Sequence, residues 1–99
     1  MPLFAILFED DDSHADQRPK FMAQHLAFLE RNKGSILSAG PMLEVASQEP
    51  AGGLWLVESA SHASAQKLVE EDPFWPTGLR KSVRILQWNQ VFAEGKRRI

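Results

Sequence analysis

Two side chains far apart in the sequence have surroundings that suggest chemistry. Asp72 closes the run Glu70-Glu71-Asp72 and is followed by Pro73-Phe74-Trp75-Pro76. A proline disfavours helical geometry in the residue before it, so Asp72 is expected at the C-terminal end of a helix running back through Val69 and Leu68. The helix dipole repels an anion there, and a nearby cation would relieve the repulsion. His25 is a candidate for that cation. It falls four residues after Phe21 and three before Phe28, on the apolar stripe of an earlier helix. A histidine so placed is either a core residue with a satisfied hydrogen bond or a general base. Arg18, seven residues earlier and two turns along the same face, either begins the helix in solvent or binds an anion. Spacing alone does not bring Asp72 to His25.

Other chemistries have less support. His14, His25 and His62 show no pairing at helical ligand spacing and no cysteine completes a set, so no zinc centre is expected. The run Glu9-Asp10-Asp11-Asp12 lacks the glycine and distal glutamate of a calcium loop and is expected to solvate a turn. No glycine-rich phosphate loop follows a strand, so no nucleotide cofactor is expected. A formal net charge of −2 and a pI near 5.9 give no electrostatic reason for a nucleic-acid or anionic-membrane partner. Lys96-Arg97-Arg98 then reads as part of a solvated tail over 93–99.

The elements that must position these residues follow from periodicity. Leu3 to Phe8 is a compact apolar run, read as a buried strand. It is far too short to span a bilayer. It also lacks the basic flank and small-residue cleavage site of a signal peptide, so the expected compartment is the cytoplasm. From Arg18 to Lys33 the residues Phe21, Met22, Leu26, Phe28 and Leu29 recur at helical spacing, with Pro19 in the first turn and a stop near Gly34. Ser35 to Ala39 reads as a strand broken at Gly40-Pro41, and a polar loop runs through Gln48 to Gly52. Leu54 to Val57 is the next strand. Ser59 or Ser61 can cap a second helix carrying Ala65, Leu68 and Val69 inward and ending at Pro73. A long last strand is expected from Val83 to Phe92.

The order βαββαβ is the split βαβ pattern, an α+β fold in which two helices cover one face of a four-stranded antiparallel sheet. With 99 residues, 43% of them hydrophobic, the chain makes one domain over 1–99 with a thin core. Alternation along the last strand sets Leu86, Trp88 and Phe92 against Val83, Ile85 and Val91, so both sheet faces are apolar and a homodimer through the open face is expected.

Three segments in this order resemble the YCII-related family: His25-Leu26-Ala27-Phe28-Leu29, Leu37-Ser38-Ala39-Gly40-Pro41 and Asp72-Pro73-Phe74. The resemblance covers nearly the whole chain. It implies a dimeric α/β barrel of ferredoxin-like topology and a histidine and aspartate dyad, carried here by His25 and Asp72, facing a pocket near the dimer interface. It also implies a Ser38 hydroxyl near that pocket. One branch of the family resembles dehydrochlorinases of chlorinated hydroxyquinols. Two features depart from the family pattern: an interval from His25 to Gly40 shorter than in the best-known branch, and an arginine seven rather than three residues before the histidine.

A carboxylate on one ring nitrogen would fix the tautomer of His25 and stabilise the imidazolium formed after proton abstraction. Arg18 could then hold a carboxylate or phenolate, while Phe74 and Trp75 form an apolar wall or pack at a dimer seam. Gly40 and Pro41 are read as backbone shapers, and Ser38, with no base beside it, as a poor nucleophile. The function expected is acid/base chemistry (elimination, isomerisation or hydrolysis) on a small cyclic or aromatic molecule, without cofactor. The alternatives are a ligand-binding module with a silent dyad and a structural dimerisation domain.

Overall fold

The computed structural model describes residues 1–99. Its main sheet contains β1 (Leu3–Asp10), β2 (Ile36–Leu43), β3 (Pro50–Glu58) and β4 (Arg80–Gln87), with α1 (Gln17–Arg31) and α2 (His62–Glu71) in the connections. The strands lie in the order β2-β3-β1-β4 and all neighbours are antiparallel. This is the expected ferredoxin-like arrangement. Phe4, Ile6 and Phe8 of β1 and Trp55 and Val57 of β3 form the core with Phe28 of α1 and Ala65 and Val69 of α2. The strand period of two sends the alternate residues to the opposite face, where Leu7 pairs with Leu54, and Ala5 with both Leu56 and Leu86.

Helix ends follow from local hydrogen bonding. Ser61, rather than Ser59, caps α2, accepting from the Ser64 amide while Ser64 Oγ accepts from the Ser61 amide. Asp72 terminates α2 in extended geometry, φ −63° and ψ 131°, as a residue before proline should. Helix α1 stops at Arg31, short of Lys33, because Asn32 folds back and its side-chain amide donates to the Phe28 carbonyl at 2.8 Å.

Several boundaries differ from the sequence reading. Strand β2 continues through Gly40-Pro41, because it is an edge strand in which proline forfeits no obligatory ladder bond and its register shifts accommodate the kink. Strand β3 begins at Pro50, inside the expected loop. The last strand ends at Gln87 rather than Phe92. Its partner β1 starts at Leu3, whose carbonyl takes the Trp88 amide, and no further ladder is offered. Val91 and Phe92 therefore do not alternate across the sheet and are both exposed. Beyond them, β5 (Phe92–Ala93) and β6 (Lys96–Arg97) form a short hairpin over Glu94-Gly95, both with positive φ, the geometry of a two-residue primed turn.

Candidate active site

The sites of interest gather where α1 crosses the end of the sheet. His25 lies on the inward side of α1 and is 7% exposed; Asp72, behind it, is 2% exposed. His25 Nδ1 stands 2.8 Å from Asp72 Oδ1. The same oxygen accepts from the Phe74 amide at 3.2 Å, and Oδ2 faces Arg80 Nη2 at 3.5 Å. With donors on both oxygens, Asp72 acts as an acceptor, so the hydrogen in the short contact belongs to His25 Nδ1. His25 Nε2 has no protein hydrogen bond, and the ring borders a pocket of about 160 Å³. The carboxylate that an α-helix dipole would repel is thus held by an imidazole, an amide and a guanidinium.

Arg18 and Met22 of α1, Gly40 and Pro41 of β2, Trp55 of β3 and Arg80 of β4 line this pocket with His25. The Arg18 guanidinium is tied to Asp10 at the end of β1, and Arg80 Nη1 donates to the other Asp10 oxygen at 3.2 Å. Two arginines and two aspartates therefore form one partly buried cluster around the imidazole. Phe74 is fully buried and stacks on the His25 ring with centroids 4.3 Å apart and planes at 24°. Arg18 and Arg80 approach the same ring at 5.5 and 5.3 Å, within the range of a cation–π attraction. Phe74 thus lies beneath the dyad, packed against it, rather than standing open as a wall.

The structure brings together His25, Asp72, Arg18, Gly40, Pro41 and Phe74. It does not bring Ser38 or Trp75 to the pocket. A register shift after Ile36 pairs Ser38 with Leu56, on the face away from the helices. Trp75 is half-buried and packs against the core beneath. The sequence reading assigns Asp10 to a solvated turn and does not single out Arg80; the structure instead pairs Asp10, 14% exposed, with Arg18 and Arg80. Asp10 was legible, since it continues the inward parity of Phe4, Ile6 and Phe8. Its neighbour Asp11 does face solvent, and its carboxyl is held below the usual range first by the Ser13 hydroxyl and then by the Ser13 amide. His14 Nδ1 lies 3.1 Å from the Ser13 hydroxyl and 3.2 Å from an Asp11 carboxylate oxygen, away from the pocket. No group of three or more His, Cys, Asp or Glu side chains is arranged to hold a metal ion, and no helix is long and apolar enough to cross a membrane.

A ferredoxin-like α+β domain with a buried imidazole and carboxylate at the edge of a small pocket defines a class of protein, and comparison with known chains gives the family. The YCII-related domain matches residues 2–89, and the chain belongs to that family. Protein YciI of Escherichia coli O6:H1 and that of Shigella flexneri are each 29% identical over 97 residues, covering 91% of this chain and 99% of theirs. Among solved structures, 5-chloro-2-hydroxyhydroquinone dehydrochlorinase (TftG) from Burkholderia phenoliruptrix AC1100, in complex with 2,5-dihydroxybenzoquinone, superposes with a TM-score of 0.77. It is 30% identical, with 88% of this chain and 93% of that one covered.

Proposed function

We propose that this protein is a small homodimeric enzyme that uses His25 as general base and then general acid on a single-ring cyclic or aromatic substrate. The observation that carries the reading is the 2.8 Å contact of His25 Nδ1 with a buried carboxylate while Nε2, unpartnered, is left to the pocket. A proton taken by Nε2 makes an imidazolium that Asp72 stabilises across the Nδ1 hydrogen bond and Phe74 stabilises through its ring face. In an elimination the electrons of the broken bond to hydrogen form the new π bond, the leaving group departs with its own pair, and the imidazolium returns its proton to solvent or product. Isomerisation returns that proton to the substrate, and in hydrolysis Nε2 takes it from water. Arg18 holds a carboxylate or phenolate oxygen.

Size supports the substrate class. A pocket of about 160 Å³ matches a cavity of roughly 150 Å³ that takes benzene. The likeness to a dehydrochlorinase complexed with a dihydroxybenzoquinone supports the same class. Screening wild type and His25→Ala against hydroxyquinols, lactones and small esters tests the reading. Loss of a general base should cost on the order of 10²–10⁴-fold in turnover. Equal turnover by the two proteins would refute it, and ligand binding without turnover would favour the silent-dyad alternative.

A further inference from the structure

Arg80 is buried more deeply than stability alone explains. Its side chain is 3% exposed, and its Nε is enclosed without a hydrogen-bond partner. The guanidinium lies 4.1 Å from the Phe8 ring centre and divides its remaining nitrogens between two carboxylates, Asp10 at 3.2 Å and Asp72 at 3.5 Å. Enclosing such a group with one nitrogen unsatisfied costs free energy, and an apolar side chain of similar volume commonly fills such a space at lower cost. What an apolar replacement could not do is act on Asp72.

We propose that Arg80 is a positioning residue for the dyad, an inference that rests on the reading of His25 as a base. Oδ1 of Asp72 is engaged by His25 and the Phe74 amide; Oδ2 has only Arg80. With the guanidinium present, both oxygens are acceptors, the ring hydrogen stays on Nδ1, and Nε2 is bare toward the pocket. Without it, Oδ2 would be buried with no partner. A carboxylate in that condition turns away or takes up a proton, and either change releases the imidazole tautomer. Asp10 completes the device. It accepts from both Arg18 and Arg80, so two guanidiniums balance two carboxylates, and protonation of His25 is the step that makes the cluster cationic.

Ring-nitrogen resonances of His25 in uniformly ¹⁵N-labelled protein, assigned by loss in His25→Gln and read at mildly alkaline pH, test this directly. The wild type should show two widely separated resonances, one for a protonated Nδ1 and one for a bare Nε2. In Arg80→Met they should move toward each other as the tautomers mix. Arg80→Lys should move them partway, since an ammonium restores charge without reaching both carboxylates. Phe8→Leu disturbs the same packing but leaves the charge, and should leave the resonances in place. Unchanged resonances in folded Arg80→Met would overturn the proposal. Should that variant fail to fold, unchanged resonances in Arg80→Lys would do so, and so would equal displacement by Phe8→Leu. The readout needs no turnover, so a failed substrate search and a failed positioning role are separate results.

Discussion

Asp72 is held by three donors from three places: the α1 imidazole, the amide two residues on, and the guanidinium at the start of β4. Replacing it with Asn separates the roles of shape and charge. An amide oxygen in the Oδ1 position can still accept from His25 Nδ1 and the Phe74 amide, but the amino group in the Oδ2 position then meets the Arg80 guanidinium donor to donor, and the negative charge behind the imidazole is gone. Turnover by Asp72→Asn should fall on the order of 10²–10⁴-fold while substrate binding changes little, because the base stays in place but its imidazolium loses the carboxylate that stabilises it. The fold should also weaken. Arg80 would keep Asp10 but lose its second carboxylate, and breaking a buried pair typically costs about 3–5 kcal/mol. Steady-state kinetics and urea unfolding read the two effects separately. A variant as active as wild type would remove Asp72 from the chemistry.

At the scale of elements, the site depends on where strands kink, and this decides what could be read in advance. Between Glu9 and Asp10 the β1–β4 register skips a residue, so Asp10 faces Arg80 instead of Lys81. Counting inward from Val83 and Ile85 by twos would choose Lys81, so the buried arginine was not legible from alternation. Helix α1 was legible, as were the capping of α2 and the arrest at Asp72-Pro73, because these follow from local chemistry. The union of His25 with Asp72 is a tertiary fact that resemblance supplied and periodicity did not. Ser38, which the resemblance sets near the pocket, lies on the opposite face because of the β2 shift after Ile36.

Gly52 shows what such a kink demands. Its φ is +84°, and a Cβ there would lie 2.0 Å from the Phe8 carbonyl oxygen, with Gly53 on the pocket floor next in sequence. Gly52→Ala should therefore cost well over the ~1 kcal/mol typical of a point substitution, since neither backbone can yield cheaply. Ser61→Ala removes only the α2 cap and should cost about 0.5–2 kcal/mol. Thermal or urea unfolding of both variants should rank them in that order.

For the molecule as a whole, the dimensions argue for a missing cover. The chain measures 43 × 33 × 21 Å with a radius of gyration of 14.2 Å, against about 13 Å expected for a compact domain of this length. Its least extent holds one sheet and one layer of helices, since packed layers are ~10 Å apart. Only 14 of 99 residues are buried, so the core is thin. The face away from the helices carries Leu7, Leu54, Leu56 and Leu86, with Trp88 exposed at the edge. A second copy laid sheet to sheet would cover both faces at once, which is the basis of the proposed homodimer. Sedimentation should then find a dimer at micromolar concentration, with a thermal midpoint that rises as protein concentration rises. Leu56→Lys places an ammonium on a central strand of that face and should give a monomer whose midpoint no longer depends on concentration. The wild type sedimenting as a monomer would defeat the proposal. So would a Leu56→Lys dimer as stable as the wild type, since burying an unpaired ammonium between two sheets is too costly for the association to survive.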